Sequence, residues 1–155
     1  MIEKLLIGSI ESDYSQSKVD IKFGKCSDNS SLSIFKAISS CAVLVDVINY
    51  SGFNSATPIL FFTIKKNDVD SVMRSIKASG DSIEGIYVDV DIVIISVIGI
   101  GMRANSFVIS EICRIFLNYR ADIKSLSISE IRIEIMTTTN TAVDNIVRDL
   151  ELAFL

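Results

Sequence analysis

Two hydrophobic periods run along the chain. Apolar residues alternate with polar ones in KVDIKF (Val19, Ile21, Phe23) and in EIRIEIM (Ile131, Ile133, Ile135), the pattern of strands with one buried face. Elsewhere the period is helical. In NDVDSVMRSIKASG, Val69, Val72, Met73 and Ile76 recur at i, i+3, i+4 and i+7, with Asn67 placed to cap the start and Gly80 to stop the end. The segment NTAVDNIVRDLELAFL carries the same stripe through Val143, Ile146, Val147, Leu150 and Phe154, which predicts a second helix.

These helices are copies. VDSVMRSI from Val69 matches VDNIVRDL from Val143, 74 residues later, and the same offset lays Val19, Ile21 and Phe23 on Val93, Ile95 and Val97. It also lays Ile34, Ile38 and Cys41 on Val108, Ile112 and Ile115, so the chain is an internal duplication. Each copy reads strand, helix, strand, strand, helix: 18–24, 31–41, 42–50, 57–64 and 67–79, then 91–99, 106–118, 121–128, 130–136 and 140–154. SIEGIYVDV adds a last strand to the first copy, giving βαββαβ, the ferredoxin-like split unit: an α+β fold with two helices on one face of an antiparallel sheet. The second copy lacks its last strand, and the unused apolar segment KLLIGSI before the first copy is expected to supply it. The expected domains are therefore 16–90, and 1–15 plus 91–155, the second discontinuous.

Composition narrows the chemistry. The chain of 155 residues has a formal charge of −4 and no basic run, which argues against nucleic acid or an anionic membrane as partner. The N-terminus lacks the features of a signal peptide and no apolar run reaches the length of a membrane span, so the expected location is the cytoplasm. Its three cysteines, Cys26, Cys41 and Cys113, are widely spaced, which suits neither a disulfide framework nor a zinc site. There is no histidine, which removes the commonest general base and metal ligand. No catalytic residue, metal or cofactor is expected on this chain. A mean hydropathy of +0.45 is high for a monomer of this size and points to a homodimer that covers apolar strand surface.

One motif points elsewhere. IGIGMRANSF places Gly99, Gly101 and Ala104 in G-x-G-x-x-A spacing after a strand, as in a dinucleotide-binding loop. That fold needs a parallel βαβ unit whose second strand ends in an acidic residue. Here Asp122 stands at the start of the next strand, which turns through SISEIRI straight into another, so a tight strand-to-helix turn is the expected role of these glycines.

The stretches VIGIGMRANSFVISEI, ADIKSLSISEIRIEIM and DLELAFL together resemble the second ACT domain of aspartate kinase, and KVDIKF, FKAI, VDVI and FTIKKNDVDSVM resemble the first. The resemblance covers the whole chain. It implies regulation rather than catalysis: the family phosphorylates the β-carboxylate of aspartate with ATP on the route to lysine, threonine and methionine, and its tandem ACT region senses end products. The chain carries neither the family's catalytic lysine motif nor a phosphate-cradling loop, so it is expected to act with an aspartate kinase catalytic domain and not alone.

Sensing has a physical basis in the strand-to-helix loops 27–31 and 102–106, because free N–H groups at a helix start favour a ligand carboxylate. A neighbouring strand would then supply a group for the ligand's ammonium, with Asp46 and Asp122 as candidates. In the family the ligand, here lysine or threonine, sits between ACT domains of two chains, and the positions matching that site are Asp28, Asp46, Met102, Asn105, Asp122, Ile123, Ser129 and Glu130. Several of these and their neighbours also have a plainer role: Asp28, Asn105 and Ser106 as cap or loop residues, Glu130 and Arg132 as a solvated strand face, Met102 as core. The family's glycine in each loop is absent, Tyr50 stands about where glutamine is frequent, and Asp122 where asparagine is common. The alternative is therefore a structural dimerisation module without an effector.

Overall fold

The structure, a computed structural model, describes residues 6–24, 30–52, 57–79, 83–102, 105–139 and 142–155. Asp28, Cys26, Gly80 and Ala104 lie outside these residues. The chain divides into two compact units: Ser15–Val90, the first, and Met1–Tyr14 with Asp91–Leu155, the second.

The first unit holds β2 (Gln16–Phe23), α1 (Ser30–Ser40), β3 (Val45–Ser51), β4 (Ile59–Lys65), α2 (Val69–Ala78) and β5 (Ile83–Asp89). Its antiparallel sheet runs β3-β4-β2-β5. Alternation along β2 and β4 turns Val19, Ile21, Phe23, Leu60, Phe62 and Ile64 to one side, where they pack with Ile34 and Ile38 of α1 and Val72 and Ile76 of α2. The second unit is built from β1 (Leu6–Asp13), β6 (Ile92–Ile100), α3 (Ser106–Asn118), β7 (Ser125–Ile128), β8 (Arg132–Thr138) and α4 (Val143–Phe154), with sheet order β1-β6-β8-β7. Val93, Ile95, Val97, Ile133 and Ile135 form its core with Val108, Ile112 and Ile115 of α3 and Ile146 and Leu150 of α4. Tyr119 ties these two helices further, its hydroxyl donating to Asp149 Oδ2 at 2.7 Å, and this bond holds the phenol above its ordinary ionisation range.

The two orders are the same once β1 takes the place of a fourth strand. In each unit the central pair is flanked by the hairpin partner on one side and the closing strand on the other. The N-terminal strand therefore completes the second ferredoxin-like unit, pairing antiparallel with β6 from Leu6↔Ile100 to Asp13↔Ile94.

Three boundaries differ from the sequence pattern. Asn67 does not cap α2, because the chain leaves β4 through a 3-10 turn, Lys66–Asp68, and its backbone is already helical before Val69; a cap needs a non-helical residue. Strand β3 starts at Val45 because Ala42 takes φ 52° after α1. Strand β7 starts at Ser125 because Arg120, at φ 51°, ends α3 with bonds from Arg120 N to Leu117 O and from Ala121 N to Phe116 O, a left-handed helix stop made without glycine.

The glycines of the dinucleotide-like motif have structural roles. The unit around them is antiparallel, with a β7–β8 hairpin in place of a parallel crossover. Gly101 takes φ 76° at the exit of β6, and Gly99 lies against the backbone of β1.

Candidate functional site

At the end of β6 the chain turns through Gly101 and enters α3. Met102 is fully buried in the second unit's core, so its side chain is a packing group. Asn105 caps the helix, its side-chain oxygen accepting from Phe107 N at 3.1 Å. The β7–β8 turn lies beside this end of β6: Gly99 N donates to Ile131 O at 2.8 Å. Ser129 closes that turn, its N–H donating to Arg132 O at 2.8 Å and its hydroxyl accepting from Arg132 N at 3.1 Å. Glu130 is exposed at the tip. The fold thus gathers Met102, Asn105, Ser129 and Glu130 at one end of the second unit.

Asp122 and Ile123 are at the other end. The Asp122 carbonyl accepts from the Thr137 hydroxyl at 2.5 Å, and Thr137 pairs with Val93 near the start of β6. Arg132, beside Ser129, pairs with Ile98, five residues further along β6, a separation of about 17 Å at the rise of a strand. The Asp122 side chain is exposed, whereas Ile123 is half-buried against the core.

The first unit repeats this division. Asp46 is exposed at the start of β3, next to Val45, which pairs with Ile64, itself paired with Ser17 at the beginning of β2. A bulge there is held by Val47 N donating to Thr63 Oγ1 at 2.9 Å. The start of α1 lies beyond the opposite end of β2, about 20 Å away along the strand. At that end Tyr50 donates its hydroxyl to Ser31 Oγ at 2.5 Å, and its ring meets Phe35 edge-on. The sequence marks Tyr50 only as an unusual residue; its contact with α1 is tertiary and has no local signal.

The helices also differ in charge. Asp70 and Asp144 sit in the first turns of α2 and α4, complementing the positive helix end, but α1 and α3 have no acidic residue there. Among the described residues no group of three or more Cys, Asp or Glu could hold a metal ion, and no helix is long and apolar enough to cross a membrane.

No family model matches the chain. In sequence it is 28% identical over 102 residues to an aspartokinase from Geobacillus stearothermophilus, covering 64% of this chain and 24% of that protein. It is 24% identical over 135 residues to the aspartokinase of Helicobacter pylori, covering 87% of this chain and 33% of that one. The chain therefore spans a quarter to a third of the curated relatives it matches. In fold it superposes on the regulatory subunit of aspartate kinase from Thermus thermophilus in its ligand-free form with a TM-score of 0.84, at 17% identity, over 96% of this chain and 99% of that one. The likeness to the aspartate kinase regulatory region holds in both sequence and fold, and the architecture is that of tandem ACT units.

Proposed function

We propose that this chain is a regulatory part of an aspartate kinase that binds an end-product amino acid, lysine or threonine, between two copies of itself. It would modulate the ATP-dependent phosphorylation of aspartate by a catalytic domain, in the cytoplasm, and perform no phosphoryl transfer alone.

The observation that carries this reading is the split of the candidate residues within each unit. The helix starts that favour a carboxylate and the exposed Asp46 and Asp122 that would hold an ammonium are about 17–20 Å apart in one unit, too far for one amino acid. In both sheets β3 and β7 are edge strands, and each is parallel to the central strand that leads into the helix. Pairing two such edges antiparallel about a twofold axis brings the start of one edge strand beside the helix start of the other unit. The resemblance favours a first unit meeting a second unit of the partner copy. The edge of the first sheet suits this, with Leu44 just before β3 and Ile48 on it exposed by 83% and 51%. With a first unit facing a second, a ligand carboxylate at the start of α3 has Asp46 of the facing copy for its ammonium, and one at the start of α1 has Asp122.

The second reading, a dimerisation module without effector, is favoured by Phe107, in the first turn of α3, standing where the family has glycine. Titration calorimetry of the chain with lysine, threonine and methionine separates the two. The sensing reading expects heat from at least one. The double variant Asp46→Ala, Asp122→Ala is expected to bind that amino acid roughly tenfold more weakly or worse, the loss of a charge-assisted hydrogen bond. Its melting temperature should not change, because both side chains are exposed. A double variant that binds like the wild type removes these carboxylates from the site, and silence with all three amino acids leaves the dimerisation module.

A further inference from the structure

The two repeats are built differently at the start of their first helices. Helix α1 opens with Ser30 and Ser31, both buried, and the Tyr50 hydroxyl reaches Ser31 Oγ from the end of β3 at 2.5 Å. The Tyr50 ring is also held, edge-on to Phe35 with centroids 5.7 Å apart and planes at 71°. The phenol thus reaches the first turn of α1 at Ser31 and is anchored at both its polar tip and its apolar body.

Strand register identifies what the second repeat has instead. Tyr50 pairs with Leu60, which pairs with Ile21, and Leu126 pairs with Ile135, which pairs with Ile95; because the repeat lays Ile21 on Ile95, Leu126 is the counterpart of Tyr50. Matching Ile34 and Ile38 to Val108 and Ile112 makes Asn105 the counterpart of Ser31 and Ile109 that of Phe35. Leu126 has no hydroxyl to offer, and the Asn105 side chain turns back onto its own helix at Phe107 N. Both helices lack an acid in the first turn, but only α1 has a phenol reaching it.

We propose that Tyr50 closes the first unit's helix start, so that each chain takes up one amino acid, at the second unit. This inference rests on the sensing reading above and adds the stoichiometry and the residue that sets it. An incoming carboxylate at α1 has to break the bond to Ser31 and lift the ring from Phe35, which lowers affinity roughly ten- to hundredfold relative to an open start. At α3 no such contact stands in the way.

The test is titration of L-lysine and L-threonine into the wild type and into Tyr50→Leu, the substitution that copies the second repeat. One equivalent per chain is expected on the wild type and two on the variant. Tyr50→Phe, which keeps the ring, gives an independent readout: hydrogen exchange of the first-turn amides of α1 should quicken by about fivefold as one hydrogen bond is lost. Two equivalents on the wild type overturn closure while leaving sensing intact, and one on both proteins shows that Tyr50 is no barrier. Unchanged exchange in Tyr50→Phe also overturns it. No binding to either protein overturns the sensing reading and this inference together, and binding to Tyr50→Leu alone overturns uptake at the second unit.

Discussion

Gly99→Val is expected to destabilise the second unit by roughly 3 kcal/mol or more, at the severe end for a single substitution. The pairing of β1 with β6 shifts register between Ile7 and Ser9, and this irregularity brings the β1 backbone down onto Gly99. A Cβ at Gly99 would stand 2.2 Å from Leu6 O and 2.8 Å from Ile7 Cα. Both are backbone atoms, so no rotamer change relieves the overlap and the strands must part. Gly8 on the facing strand is the control: its Cβ would meet nothing closer than Ile98 O at 3.9 Å, so Gly8→Ala should stay within about 0.5 kcal/mol of the wild type. Urea unfolding monitored in the second unit measures both, and equal midpoints for Gly99→Val and the wild type would contradict the account.

Removing residues 1–13 should have a larger effect and confine it to one unit. Ile7 is buried in the second core and Ile10 packs against it. Their removal withdraws about 1.5–3 kcal/mol of hydrophobic burial for each fully buried side chain, together with the ladder of backbone bonds to β6. The central strand β6 then becomes an edge, with its apolar residues uncovered on that side. The first unit has its own core of Val19, Ile21, Phe62, Ile64, Val72 and Ile76, and its sheet is completed by β5. Hydrogen exchange should therefore show amides of α3, β6 and β8 losing protection while those of α1, β2 and β4 keep theirs. Equal loss in both units, or none in either, would show that β1 does not hold the second unit together.

The fold was legible because the signals were periodic and repeated. Val19, Ile21 and Phe23 alternate, Val93, Ile95 and Val97 echo them 74 residues on, and the echo is what exposed a missing strand and pointed to KLLIGSI. Boundaries were less legible where they depend on backbone conformations that residue type does not announce. Ala42 and Arg120 end α1 and α3 in the left-handed region that glycine usually occupies, so the strands after them were read as starting too early. Similarly, Asn67 suits a cap, but the 3-10 turn from Lys66 forecloses it.

For the candidate site, residue types were legible and their grouping was not. Asn105, Ser129 and Glu130 come together because the end of β6 lies beside the β7–β8 turn, a consequence of sheet order rather than of spacing. The same order sends Asp122 to the far end. Met102 matches a ligand-binding motif, yet its side chain belongs to the core, where a long flexible thioether fills space between α3 and the sheet. Tyr50 and Ser31 are 19 residues apart and meet only because β3 pairs with β4 in a bulged register.

Sedimentation velocity of the chain at micromolar concentration, with and without lysine or threonine, tests the central claim most directly. An amino acid bound between two copies adds its binding free energy to the dimer alone and shifts assembly toward it. The account predicts a dimer whose dissociation is suppressed by at least one of these amino acids. A monomer under all conditions would contradict it.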